Sequence, residues 1–225
     1  MRHELKYMVN QLEYKVLAKR LEKILKRDSN SSDEGYTITS LYFDDQFNNA
    51  YRQKVEGEAV RHKYRIRYYN DDLSLIKLER KSKVNQMTMK CSVPLSVEEV
   101  EMIYSGEVEF LLSKEESLYR EFYCEIKHKL LKPKVIVKYE RDAFTHPVGD
   151  MRVTFDRNVK TANMETNIFN EDISFVPVLE PNQVIVEIKF NGVISEHIQS
   201  IIQMGHVTQA STSKYVLSRK YNIDF

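Results

Sequence analysis

The sequence predicts an α+β fold: an antiparallel β-barrel that lines a channel with charged side chains, with helices packed on its outside. Three observations predict it. At least seven segments read as strands, most of them joined as hairpins, with helical segments set between them. Several strands place Arg, Lys and Glu on one face and apolar residues on the other, because successive side chains point to opposite sides of a strand. A many-stranded antiparallel sheet also has edges to protect, and closure removes them. An open sheet could wet the ionic face under a helical cover. Closure turns that face inward instead, and closure is the expectation.

The first strand, Arg2 to Val9, sets Arg2, Glu4, Lys6 and Met8 against His3, Leu5, Tyr7 and Val9. Asn10 suits the N-cap of a helix over Gln11 to Lys26, where Leu12, Val16, Leu21, Ile24 and Leu25 recur at helical spacing. Asp28 to Gly35 is a polar turn. Tyr36 to Phe43 has the β-branched and aromatic content of a strand, and Asp44-Asp45 ends it before a short helix around Phe47 to Lys54. His62 to Lys81 reads as two strands joined by Asn70-Asp71-Asp72, and Asn85 to Val93 as a further strand. Pro94 and Ser96 open a helix through Tyr104, and Lys114 to Lys129 forms an amphipathic one with Leu118, Phe122 and Ile126 on one stripe. After Pro133 the strand VIVKYERDAF turns at Pro147-Val148-Gly149 into MRVTFD, a hairpin. Ala162 to Pro181 is irregular, a long loop with a short strand. VIVEIKF, residues 184–190, is a strand, Ile194 to Met204 fits a helix, and STSKY, residues 211–215, opens the last helical piece.

With 225 residues, 42% of them hydrophobic, the chain can bury one large core, and a single domain over residues 1–225 is expected. Its 34 basic and 33 acidic side chains leave a net charge of only +1, which favours a local basic site over a general polyanion sponge. Cys91 and Cys124 offer neither a disulfide framework nor metal spacing and read as reduced cysteines of a cytoplasmic protein. No apolar run approaches the ~20 residues of a membrane helix. The six histidines show no zinc spacing.

The candidate chemistry centres on HKYRIRYYNDDLSLIKLERK. Alternation puts Arg61, Lys63, Arg65 and Arg67 on one face with Lys77, Glu79 and Lys81, so like charges stand across the strands and an anion is the natural partner. The aromatics Tyr64 and Tyr68 lie on the opposite face, so bases could not stack where the cations grip, which argues against nucleic acid. No G-x-x-x-x-G-K-[ST] or G-x-G-x-x-G motif occurs, so phosphate recognition must use side chains. Arg65, Arg67, Lys77, Arg141, Arg152, Lys189 and Lys214 are the candidates, Arg with a planar fork and Lys with a compact charge. Glu4, Glu79, Asp156 and Glu187 are interleaved with these bases. Carboxylates among phosphate-binding cations make sense as ion pairs or as holders of Mg²⁺ or Mn²⁺ shared with phosphate oxygens.

RHELKY, SLYFDD, K-x-R-I-R followed by IKLERK, YERDAF, RVTFD, VEIKF and the closing SKY occur in this order through nearly the whole chain. Together they resemble the VTC-type polyphosphate polymerase domain of the triphosphate tunnel metalloenzymes. The resemblance implies an antiparallel tunnel barrel in which basic side chains bind the triphosphate of ATP or another nucleotide and a growing inorganic polyphosphate chain, with Mn²⁺ or Mg²⁺. It implies phosphate-handling roles for Lys6, Arg65, Arg67, Lys77, Arg141 and Lys214, and substrate contacts for Lys81, Lys189 and Ser213, to which the basic faces themselves add Arg152. Glu187 would be the metal ligand, with Glu4 kept from the opening motif, and Asp156 is a metal candidate from its place among the bases. The chain departs from the superfamily's Glu-x-Glu-x-Lys opening, with Arg2 in place of the first Glu, and has Gly192-Val193-Ile194 where a proline often follows the VEIKF strand. The membrane segments of eukaryotic relatives are missing, so any membrane attachment would come from a membrane-protein partner. A phosphate chain as acceptor makes a polymerase and water makes a tripolyphosphatase or nucleoside triphosphatase. A non-catalytic polyphosphate-binding module is the third reading.

Overall fold

A computed structural model describes residues 2–29, 31–32, 34–85, 87–162, 164–194, 196–202 and 213–220. Among these residues are ten strands and six helices. The strands are β1 (Arg2–Asn10), β2 (Lys26–Arg27), β3 (Tyr36–Asp44), β4 (Val60–Tyr69), β5 (Asp72–Val84), β6 (Met87–Leu95), β7 (Lys132–His146), β8 (Met151–Ala162), β9 (Phe175–Pro177) and β10 (Gln183–Asn191). The helices are α1 (Gln11–Leu21), α2 (Asn49–Val55), α3 (Val97–Ser105), α4 (Ser117–Lys129), α5 (Glu196–Ile202) and α6 (Lys214–Arg219). They fall into two compact units, and the chain passes from one to the other within β3, β7, β8 and β9 and again at Ser213-Lys214.

In the first unit (residues 1–37, 139–159 and 177–213) the strand order is β1-β10-β8-β7. Antiparallel register sets Lys6 opposite Glu187 and Glu4 opposite Lys189, and on the other side of β10 it sets Lys189 opposite Arg152. Val9, Phe144, Val153, Phe155, Val184, Val186 and Ile188 bury the apolar face with Leu17 and Leu21 of α1 and Ile198 of α5. Helix α1 begins with a capping box, in which the Asn10 side chain accepts from the Glu13 amide and the Glu13 side chain accepts from the Asn10 amide. It is shorter than the periodicity predicts. Ile24 and Leu25 donate to the Leu21 carbonyl, and Lys26 and Arg27 pair with Thr145 and Phe144. Strand pairing takes over the last residues of the apolar stripe, and Leu25 is still buried.

In the second unit (residues 38–138, 160–176 and 214–225) the order β3-β4-β5-β6 is antiparallel throughout. Leu41, Phe43, Tyr64, Ile66, Tyr68, Ile76, Leu78, Val93 and Leu95 face a core completed by Val100 and Ile103 of α3 and by Leu118, Tyr119 and Phe122 of α4. Asn70 and Asp71 both take positive φ, 53° and 55°, the two-residue turn that matches the twist of a hairpin. Ser96 caps α3 with Glu99 in a second capping box. The α+β class, the hairpin-connected antiparallel strands and the helical cover of the apolar faces are as the sequence predicts. Strands β7 and β8 run longer than expected, and the loop after β8 contains the short strand β9. The expected helix end at Met204 and the residues Ser211 and Thr212 lie outside the described residues.

Candidate functional site

In the second unit the polar face of β4, β5 and β6 is a ladder of four rungs. Register aligns Arg61, Lys83 and Thr88, then Lys63, Lys81 and Lys90, then Arg65, Glu79 and Ser92, then Arg67, Lys77 and Pro94. Tyr42 of β3 extends the Arg65 rung and Ser40 extends the Arg67 rung. Glu79 is the only carboxylate in these four rungs, against eight cationic side chains. It is 1% exposed and takes the Arg65 Nε at 2.7 Å, Lys90 Nζ at 3.1 Å and Arg67 at 3.8 Å. Burial alone would push its carboxyl up. The charges of Arg65, Arg67 and Lys90 outweigh burial and bring it down to about 2.

Glu79 is not the only polar group that engages these guanidinium groups. Arg65 also donates to the Tyr42 hydroxyl at 3.1 Å, and Arg67 donates to Ser40 Oγ at 2.9 Å. Tyr42 is buried, which pushes a phenol up. Arg65, Arg67 and Lys214 nevertheless pull it below its ordinary value, so the local potential is positive. Lys77 is half-buried and has no hydrogen-bond or ion-pair partner among the described residues. Cations held together in partly desolvated surroundings gain by receiving an anion.

The first unit gathers the other candidates. Lys6 Nζ lies 3.0 Å from Glu4 and 3.2 Å from Glu187, whose second oxygen is 3.1 Å from Lys189 Nζ. Burial opposes the Lys6 charge, but Glu187 and Glu4 outweigh it and raise the ammonium above its ordinary value. Arg141 grips the fully buried Asp156 with both arms, at 2.6 and 2.8 Å, and its Nη2 is 4.0 Å from Glu187. Arg152 pairs with Asp28 at 2.8 Å and donates to the Tyr36 hydroxyl at 3.0 Å. Gly35, at φ 88°, sits where a Cβ would fall against the Arg141 carbonyl and the Asp142 carboxylate, so only glycine lets the chain enter β3 beside Arg141. Ser213 is half-buried and immediately precedes α6.

The donor set suits a hard divalent cation. Glu4 and Glu187 offer carboxylate oxygens that converge on one point, where Lys6 Nζ now lies. Among the described residues no group of three or more His, Cys, Asp or Glu side chains could hold a metal by itself, so phosphate oxygens and water would complete the shell. Asp156 differs from the other two, because both its oxygens are engaged by Arg141.

A family model, the VTC domain, matches residues 1–222. The chain belongs to the VTC domain family. No curated protein matches it in sequence. Among solved structures, a candidate adenylyl cyclase from Hippeastrum, described as having a dominant triphosphatase activity, is 12% identical with a TM-score of 0.57. The match covers 98% of this chain and 96% of that one. A candidate adenylate cyclase from Bacillus halodurans is 16% identical with a TM-score of 0.50, covering 89% and 84%. Both have the triphosphate tunnel fold, and at such identity the likeness carries the fold alone.

Within this VTC domain the structure brings Arg65, Arg67, Lys77 and Lys81 onto one face, with Lys214 close enough to act on Tyr42. It brings Lys6, Arg141, Lys189, Glu4, Glu187 and Asp156 together in the other unit, with Arg152 opposite Lys189. Sequence reading missed Tyr42, which stands in an apolar-looking run and is betrayed only by its place two residues before Asp44. It also missed the Lys90 contact to Glu79, which needs the β5–β6 register. Cys91 and Cys124 are free and exposed. Among the described residues no helix is long and apolar enough to cross a membrane.

Proposed function

We propose that this VTC domain performs metal-dependent phosphoryl transfer, moving the γ-phosphate of ATP onto a growing polyphosphate chain. The observation that carries the reading is the gathering of eight cationic side chains and one carboxylate in the four rungs of this face, where a buried phenol is held below its ordinary value. The cation ladder runs from Arg67 to Arg61, about 20 Å at the strand rise, which suits an extended polyanion better than one compact triphosphate. Membership of the VTC family supports the same chemistry.

Arg65, Arg67, Lys77 and Lys81 would hold the triphosphate, Arg by paired hydrogen bonds and Lys by charge. Lys6, Arg141 and Lys214 would guide the acceptor end, with Arg152, Lys189 and Ser213 as further phosphate contacts. Asp156 would fix the Arg141 guanidinium. Bound by Glu187 and Glu4 together with phosphate oxygens, Mn²⁺ or Mg²⁺ would supply charge neutralisation on the leaving diphosphate. The bond from the γ-phosphorus to the bridging oxygen breaks while one forms to a terminal oxygen of the chain. The transition state is loose and its charge sits on oxygens, so the side chains act by positioning and neutralisation. A cytoplasmic site of action and a membrane-protein partner belong to the same proposal, as does one folding domain over residues 1–225.

The purified chain, incubated with ATP and Mn²⁺ or Mg²⁺, is expected to form long phosphate polymer, read on a gel beside released orthophosphate. Orthophosphate without polymer would move the assignment to a hydrolase, the reading favoured by the triphosphatase activity of the Hippeastrum protein. Glu187→Ala should abolish turnover and metal dependence in either enzyme, whereas a binding module would show no turnover to lose and keep its phosphate affinity.

A further inference from the structure

Asp44 ends β3 at 1% exposure, two residues after Tyr42 and on the same face of the strand. One of its oxygens accepts from the amides of Asp45 and Ala50, both at 2.9 Å, and the other from the Tyr51 amide at 3.0 Å. Three backbone donors satisfy this buried carboxylate and cap the first turn of α2. It then takes one more bond, from the hydroxyl of Tyr215 in α6. That hydroxyl is held as a firm donor, because burial and the Asp44 charge both raise its pKa.

Tyr215 is 1% exposed, and its ring lies 5.2 Å from that of Tyr42 and 5.4 Å from Lys63 Nζ. At the far end of the same short helix, Arg219 donates to Asn48 Oδ1 at 2.7 Å. Both anchors of α6 therefore fall on the segment Asp44 to Asn48. The residue before Tyr215 is Lys214, whose charge acts on Tyr42 together with Arg65 and Arg67.

We propose that Asp44 and Tyr215 are positioning residues: their hydrogen bond docks α6 so that Lys214 joins the Tyr42, Arg65 and Arg67 cluster, and anion binding and helix docking form one coupled equilibrium. The inference rests on the phosphate-binding reading of the β4–β5 face. The Asp44 carboxylate keeps three amide donors without Tyr215, so loss of the hydroxyl leaves β3 and α2 intact and acts on the helix that carries Lys214. By linkage, an anion that Lys214 contacts must stabilise the docked helix by the same factor by which docking tightens the anion.

The test measures inorganic tripolyphosphate binding to the full chain by calorimetry, for wild type, Tyr215→Phe, Lys214→Ala and the double variant. A hydroxyl bonded to a carboxylate predicts that Tyr215→Phe weakens binding roughly tenfold. The double variant should bind no more weakly than Lys214→Ala alone, because the docking bond acts only through that lysine. Tripolyphosphate should also slow amide exchange in residues 214–220 of wild type and not of Lys214→Ala. Wild-type affinity in Tyr215→Phe, or losses that add fully in the double variant, would overturn the coupling. If Tyr215→Phe fails to fold, Arg219→Gln loosens the other anchor and should show the same non-additivity with Lys214→Ala. Failure of the wild type to bind tripolyphosphate would overturn the phosphate reading itself, and the inference with it.

Discussion

The two charge clusters use the same residue types and differ in balance. In the first unit Lys6, Lys189, Arg141 and Arg152 are matched by Glu4, Glu187, Asp156 and Asp28, each cation within 3.2 Å of a carboxylate. In the second unit Glu79 is the one carboxylate within four rungs of cations, and Lys77 has no ion-pair partner among the described residues. The first cluster is at rest without a ligand and carries both signs of charge, as a site for a metal and phosphate together requires. The second gathers like charges, whose mutual repulsion an anion would relieve. Stability and binding should therefore separate between them.

The largest effect should come from Arg141→Ala, which leaves Asp156 as a buried carboxylate without its guanidinium. A loss of about 3–5 kcal/mol in unfolding free energy is expected. Adding Asp156→Leu should return much of it, because the cost lies in the orphaned charge. A loss under 1 kcal/mol in chemical denaturation would mean the first cluster is not balanced by this pair.

Acid should unsettle the second cluster. The Glu79 carboxyl is lowered from 4.5 to about 2, so the stability it contributes is fully present above pH 4.5 and is lost as the pH falls through about 2. The difference corresponds to about 3 kcal/mol. Lys6 is shifted the other way, upward, and its contribution is lost only in strong alkali, so it stays flat over the same acid window. Unfolding measured from pH 5 to pH 2 should fall more steeply for wild type than for Glu79→Gln. Parallel slopes would remove Glu79 from the account.

Lys77→Ala should do the reverse of Arg141→Ala. With no ion pair to break, unfolding free energy should stay within about 0.5 kcal/mol of wild type or rise. Turnover of ATP should fall about 100-fold, the usual loss when one group that stabilises transition-state charge is removed. If stability falls and turnover does not, Lys77 belongs to the fold and the surplus charge has no use.

What could be read from the sequence follows from range. Strand alternation is local, so the ionic faces of β1, β4, β5 and β10 and the cations Arg65, Arg67, Lys77 and Lys189 were legible. The capping residues Asn10 and Ser96 were legible for the same reason. Register is not local, and it decides that Lys6 meets Glu187 and that Glu79 is outnumbered. The end of α1 was lost because Lys26 and Arg27 pair with residues more than a hundred positions away. Asp44 and Tyr215, 171 residues apart, could not be joined by any pattern in the chain.

The smallest effect tests the cause of the asymmetry most directly. Burial should raise the Tyr42 phenol, yet the surrounding cations hold it down. A bound tripolyphosphate that neutralises Arg65, Arg67 and Lys214 should release the phenol upward, by an amount visible in ultraviolet or carbon-13 titration though worth little in stability. Tyr42→Phe assigns the signal by removing it. In Lys214→Ala the free-state phenol should already sit higher and respond less to the ligand. A Tyr42 titration that ignores tripolyphosphate, while binding is seen by calorimetry, would put the anion somewhere other than the β4–β5 face.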